Sequence, residues 1–297
     1  MKDIKSLLGP MRVPFLILTP ACVLLGLGTA VWSAGTVSPL HFVIALIGAV
    51  ASHISVNAFN EYFDFKSGLD FKTQRTPFSG GSGTLPARPE LANQALATAI
   101  VSAVVVCLAG IYFLAVWGLS LLPLGIAGLL VVVLYTPFIA RNAFACLIAP
   151  GLGFGTLMVV GTHFALTGEY SPSALAASFV PFFLVSNLLF LNQFPDVDAD
   201  RSVGRKNYPV VIGRKKSSLI YGAFLLLAFV SIVVGVVLGY LPRASLIGLA
   251  AVAIAVPAAV GAYRYADDIQ RLAPAMGLNV VINIVTPVLV AVGLFVA

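Results

Sequence analysis

The chain has 297 residues, of which 60% are hydrophobic and 9% charged, with a mean hydropathy of +1.03 and a net charge of +6. A soluble domain is about one-quarter charged, so this composition excludes the ordinary water-soluble classes and describes a polytopic membrane protein. The basic excess is scattered over short segments with no recognition module, which excludes nucleic-acid binding and leaves those charges as orientation signals.

Apolar runs long enough to cross a bilayer occur nine times, at 13–33, 41–64, 91–117, 119–139, 143–166, 173–194, 217–240, 244–263 and 277–297. The opening segment MKDIKSLLGPMR carries positive charge, and no small-residue cleavage site ends the run after it, so a retained first helix is expected. If the N-terminus is cytoplasmic, sixteen Lys and Arg, Lys2 and Lys5 among them, lie inside and Arg243 alone lies outside. The positive-inside rule favours that orientation, and an odd number of spans then puts the C-terminus outside. The acids follow the same geography, with Glu169 alone outside. The expected architecture is one all-α bundle over 1–297, with its site at the cytoplasmic side capped by the links between spans two and three and between spans six and seven.

Each of those links begins with acids. The second span ends in NEYFDFKSGLD (60–70) and the sixth in NQFPDVDAD (192–200), so Asn60 and Asp64 share an Asn-x-x-x-Asp spacing with Asn192 and Asp196, 132 residues on. Residues four apart lie above one another on a helix. Both spans run outside to inside, which brings both pairs to one membrane surface as a weak internal repeat.

Clustered aspartates repel an anion unless a metal intervenes. Mg²⁺ takes one or two carboxylates and completes its shell with water and phosphate oxygens. Aspartates, Mg²⁺ and basic loops together point to a diphosphate, and an apolar bundle behind them points to a lipid tail on it. An isoprenyl diphosphate has that shape.

The paired motifs resemble those of the UbiA superfamily of intramembrane prenyltransferases, whose signature is two Asp-rich motifs after the second and sixth of nine helices. The resemblance covers nearly the whole chain. It implies Mg²⁺ held by Asp64, Asp70, Asp196 and Asp200. It also implies diphosphate binding by Asn60, Lys66, Arg75, Arg141, Asn192, Arg205 and Lys206, and a catalytic set of Asp64, Asp196 and Tyr135, the last in LYTPFIAR. Gly68 stands where many members carry a second Asp, Glu61 replaces a frequent Asp, and Asn207 replaces a frequent Thr. The Gly-x-Asp arrangement and DVDADRSVGRK resemble the branch that prenylates 1,4-dihydroxy-2-naphthoate for menaquinone. The implied partners are an isoprenyl diphosphate, an aromatic acceptor and membrane lipid, with no obligate protein partner. Another acceptor such as 4-hydroxybenzoate, a cyclase acting on the prenyl chain alone, and a transporter stay open. The coupling acids of a transporter, however, usually lie near the midplane rather than at span ends.

The remaining features read as structural. Cys22, Cys107 and Cys146 lie inside apolar runs without paired spacing. His41, His53 and His163 share no ligand spacing. SGGSG (79–83) fits a phosphate cradle or a lid, and GLGFG (151–155) permits close helix approach.

Overall fold

The computed structural model describes residues 8–297; Lys2 and Lys5 lie outside the described residues. Among the described residues nine long helices follow one another: α1 Leu18–Ala34, α2 Pro39–Ser67, α3 Ala92–Trp117, α4 Leu122–Leu134, α5 Ala143–Thr167, α6 Pro172–Asn192, α7 Arg214–Val237, α8 Arg243–Arg264 and α9 Ile269–Phe295. Among the described residues there is no strand. Among the described residues, eight of the spans are long and apolar enough to cross a membrane, and the run Leu119–Leu134 is shorter. Pro123 sits in the first turn of α4 and Pro137 follows its end, so this helix closes earlier than the expected 119–139. Conversely, α9 begins before the expected residue 277. The Asp268 side chain accepts from Arg271 N at 3.1 Å and caps a first turn whose polar residues read as loop.

The helix ends that matter are fixed by punctuation in the sequence. Ser38 caps α2 with Pro39 in its first turn, and Gly68, at φ 78°, ends it in the left-handed conformation that glycine adopts without a Cβ penalty. Ser171 and Pro172 open α6 in the same way. Pro195 then prevents α6 from continuing, so Asn192 closes the helix and Asp196 begins a separate short helix, Val197–Ser202. This corrects the expected shared helix face of Asn192 and Asp196. The i, i+4 relation holds only for the first pair, where Asn60 Nδ2 donates to Asp64 Oδ2 at 3.0 Å.

The bundle has a packed half and a hollow half. Leu25 of α1, Leu184 of α6, Tyr221 of α7 and Ile282 of α9 are fully buried in one core. Buried amides tie this half together. Asn187 Nδ2 donates to Tyr221 O at 2.8 Å, and Asn279 Nδ2 donates to Asn187 O at 3.3 Å. Such bonds hold spans together where lipid offers no hydrophobic drive for association. On the other side, α2 to α5 enclose a cavity. Glycine brings α5 against α6: a Cβ at Gly151 would sit 2.0 Å from Phe182 O, and one at Gly155 2.4 Å from Phe182 N. The helix passes through a π-turn at Leu152–Leu157, just after Pro150 has removed a backbone donor. Outward, α3 exposes Ile100, Val101, Val104, Leu108 and Ile111, a face suited to lipid.

Candidate active site

The cavity has a volume of about 380 Å³ and runs from an acidic mouth at the ends of α2, α4 and α6 into the apolar space between α2, α3, α4 and α5. Asn60, Asp64, Asp70, Tyr135, Asn192, Asp196, Asp200 and Arg205 all line it. The two Asp motifs therefore meet, as expected from the common direction of the second and sixth spans.

Arg205 is what joins them. One terminal nitrogen of its guanidinium pairs with Asp64 Oδ1 of α2, and the other donates to Asp200 Oδ1 at 3.2 Å. Asn207 completes the hold on Asp200. Its Nδ2 donates to Oδ2 at 2.6 Å while its own Oδ1 caps the helix Tyr208–Ile212 by accepting from Val210 N at 3.0 Å. The residue at the position of a frequent Thr thus both starts a helix and orients a carboxylate.

Asp70 reaches the cavity because α2 stops at Gly68. The short turn Leu69–Phe71 then folds Asp70 back, leaving the residue 6% exposed. Burial pushes its carboxyl up to about 7, with Glu61 and Asp64 adding to the rise and Arg12 opposing it. Burial likewise raises Asp196 to about 7, followed by the charge of Asp200. Asp200 is raised by burial against the pull of Arg205 and Asn207.

Several site residues gave no sign of their role in the sequence. Arg12, counted above as an orientation charge, lines the cavity and donates from Nε to Glu61 Oε1 at 2.8 Å and from Nη2 to Asn60 Oδ1 at 3.1 Å. Glu61 is fully buried. Its two oxygens also accept from Ser82 N and Ser82 Oγ, both at 2.7 Å. The glycine-rich loop is thereby latched onto α2, with Ser79, Gly80 and Gly81 facing the cavity. Thr136 contributes its hydroxyl to Asn60 Nδ2 at 3.2 Å.

Four of the expected diphosphate ligands are not brought into the cavity. Lys66, Arg75, Arg141 and Lys206 are exposed. Lys66 lies at the end of α2 with its amine 5.7 Å from the Tyr62 ring centroid, and the Arg75 guanidinium lies against Gly83. Arg141 ends the turn Ile139–Arg141.

The donor set suits a hard cation shared with a ligand. Asp70 Oδ2, Asp196 Oδ1 and Asn192 Oδ1 are buried without a hydrogen-bond partner. Among the described residues no three His, Cys, Asp or Glu side chains converge to enclose an ion by themselves. Oxygen donors in ones and twos match Mg²⁺, which completes its shell with water and phosphate oxygens.

An all-helical membrane bundle with two Asp motifs meeting at the mouth of an apolar cavity defines the architecture of an intramembrane prenyltransferase. The chain matches the UbiA prenyltransferase family over residues 19–296 and belongs to it. It is 30% identical over 206 residues to "1,4-dihydroxy-2-naphthoate octaprenyltransferase" of Bacillus subtilis (strain 168); the match covers 67% of this chain and 64% of that relative's length. Its fold resembles the apo structure of a UbiA homologue from Aeropyrum pernix K1, with a TM-score of 0.69 and 17% identity over 95% of this chain and 97% of that one. It also resembles a UbiA homologue from Archaeoglobus fulgidus bound to GPP and Mg2+, with a TM-score of 0.62 and 14% identity over 97% and 99% of the two chains.

Proposed function

We propose that this protein is a prenyltransferase, a single UbiA-type domain over residues 1–297, which moves an isoprenyl chain from its diphosphate to an aromatic acceptor and releases diphosphate. The observation that carries this reading is Arg205 tying Asp64 to Asp200: two acidic motifs and a cation share one mouth above an apolar cavity. The leading acceptor is 1,4-dihydroxy-2-naphthoate, for which the Bacillus subtilis relative is named. The chain is read as an integral inner- or plasma-membrane protein with the site, and the N-terminus, on the cytoplasmic side. Sixteen basic residues against one support that orientation.

Asp64, Asp70, Asp196 and Asp200, with Asn60 and Asn192 beside them, would hold Mg²⁺. When bound, the ion supplies neutralisation of the charge that grows on the leaving diphosphate. Arg205 and Arg12 bring positive charge to the same mouth. The exposed Lys66, Arg75, Arg141 and Lys206 attract the anionic head at longer range. The allylic carbon–oxygen bond breaks with its electron pair leaving on the diphosphate. Tyr135 offers a negative ring face to the resulting cation, and the apolar walls keep water from it. An acceptor ring carbon then forms the new carbon–carbon bond, and the ring proton leaves.

The test is direct. Purified full-length protein is incubated with geranyl or longer diphosphates and with 1,4-dihydroxy-2-naphthoate or 4-hydroxybenzoate, and products are identified by mass spectrometry. Prenylated aromatic product, lost on chelation, is the expected result. Cyclised prenyl product without acceptor, or no diphosphate release at all, would overturn it.

A further inference from the structure

The charged groups of the cavity gather at its mouth, where they account for the diphosphate; deeper in, the polar side chains on its wall are Ser52, His53, Asn57 and Thr162. An electron-rich aromatic acceptor carries oxygen substituents, and these need a partner inside a mostly apolar chamber. The apolar part of the cavity holds one imidazole. His53 lies on α2 seven residues before Asn60, two helical turns and about 10 Å deeper. It shares the cavity wall with Ala49, Gly153, Phe154 and Leu157.

Its ring is fixed on two sides. Nδ1 is 2.8 Å from Thr19 Oγ1 of α1, and the ring meets Phe154 edge-on, with centroids 4.5 Å apart and an interplanar angle of 75°. Thr19 is fully buried, and its hydroxyl has no other hydrogen-bond partner among the described residues. With the hydroxyl as donor, which gives its hydrogen a partner, Nδ1 is the acceptor and the ring's own hydrogen sits on Nε2. Nε2 makes no hydrogen bond with the described residues, yet it is not among the occluded polar atoms. A buried imidazole with one nitrogen spoken for and the other open to a cavity has a donor ready for a ligand. Asn57, one turn nearer the mouth, has its amide N–H committed, since Nδ2 donates to Met11 O at 3.0 Å, whereas the Ser52 and Thr162 hydroxyls on the same wall rotate and give no fixed donor direction.

We propose that His53 is the residue that positions the acceptor. Its Nε2–H, directed by the Thr19 hydrogen bond on Nδ1, donates to an oxygen of the aromatic ring and holds the reacting carbon toward the allylic carbon below the diphosphate. The assignment rests on the prenyl-transfer reading and gives that reading its second substrate site. The acceptor class is an oxygen-substituted arene thin enough to lie between α2 and α5. Helix α1 then has a role in acceptor choice, since Thr19 sets which nitrogen carries the hydrogen.

The test separates the two substrates. Full-length protein in detergent is assayed with geranyl diphosphate and 1,4-dihydroxy-2-naphthoate, varying each in turn. His53→Phe keeps an aromatic ring and removes the donor; His53→Gln offers an amide N–H in its place. The KM for 1,4-dihydroxy-2-naphthoate is expected to rise about tenfold in His53→Phe, the loss of one shielded hydrogen bond. The KM for geranyl diphosphate should stay within about twofold, and His53→Gln should recover most of the acceptor affinity. Thr19→Val leaves the imidazole in place but frees Nδ1, so the acceptor KM should rise there too, by less. An unchanged acceptor KM in His53→Phe, or an equal rise in both KM values, would overturn the assignment. A wild-type protein that forms no prenylated product would instead overturn the reading beneath it.

Discussion

Glu61 of α2 and Ser82 of the glycine-rich loop are joined twice, through Ser82 N to Oε1 and Ser82 Oγ to Oε2, both at 2.7 Å. The same carboxylate holds Arg12, so a single side chain with no exposure fastens both the N-terminal segment and the 79–83 loop to the helix that carries the first Asp motif.

Glu61→Ala would leave the Ser82 N–H and the Arg12 guanidinium without this acceptor, and breaking such a buried pair costs about 3–5 kcal/mol. Ser82→Ala removes one hydroxyl bond to a charged group, at about 1.5–3 kcal/mol. Thermal unfolding in detergent should therefore rank wild type above Ser82→Ala above Glu61→Ala. Equal melting temperatures for wild type and Glu61→Ala would show that the latch holds nothing.

The carboxyls raised by burial predict how pH acts on stability. Asp70 and Asp196 titrate at about 7 in the folded protein and near 4 when unfolded, so folding favours their protonated forms. That contribution is fully present below pH 4 and is lost as pH rises through about 7. Metal-free protein should accordingly melt higher at pH 6 than at pH 8. Mg²⁺ requires the deprotonated carboxylates and should raise the melting temperature more at pH 8 than at pH 6. A metal-induced shift that is the same at both values would contradict the assignment of these two residues.

Arg205 and Lys206 are adjacent in sequence and opposite in placement. Arg205 joins two buried carboxylates, whereas Lys206 is exposed outside the cavity. Arg205→Gln should lower kcat/KM by about 10- to 100-fold, the loss of a shielded charge-assisted contact. Lys206→Gln should lower it by less than about threefold, and that loss should shrink with added salt, because exposed charges are screened. Equal losses in the two variants would mean that the mouth opens differently around the substrate.

Much of this was legible in the chain. Hydropathy marks nine spans, and the second and sixth of them end in the two Asp motifs. The meeting of the Asp motifs follows from helix direction alone. The pairings were not legible, because Arg205 reaches Asp64 across 141 residues and Arg12 reaches Glu61 across 49, and no local pattern encodes which charges meet. Arg12 looked like any N-terminal orientation charge, and Asn207 showed only as a departure from a frequent Thr. Pro195 was visible, yet the four-residue spacing of Asn192 and Asp196 concealed its effect. A broken helix still brings both residues to the cavity, by a turn instead of a shared face.

The length of the prenyl tail should be read by glycines. From Asp64 to Ala45 the cavity follows 19 residues of α2, a rise of about 28 Å. That depth takes an extended chain of several isoprene units. On the facing helix α4, Gly128 and Gly125 line the same space, and nothing lies within 4 Å of a Cβ added at either. A leucine there would fill cavity without colliding with the bundle, and it would raise helix propensity by about 0.5–1 kcal/mol relative to glycine. Gly128 lies seven residues from Tyr135 and Gly125 ten, so the two plugs stand about 10 and 15 Å below the mouth. Each displaced methylene forfeits roughly 0.8 kcal/mol of burial, which makes the loss steep once the tail meets the plug and negligible before it. Gly128→Leu should cut kcat/KM for farnesyl and longer diphosphates while sparing geranyl diphosphate, and Gly125→Leu should move that cutoff to a longer chain. Measuring kcat/KM over a series of diphosphates from geranyl to octaprenyl gives both cutoffs in one experiment. Identical length profiles for the two variants and wild type would place the tail outside this half of the cavity, against a different pair of helices.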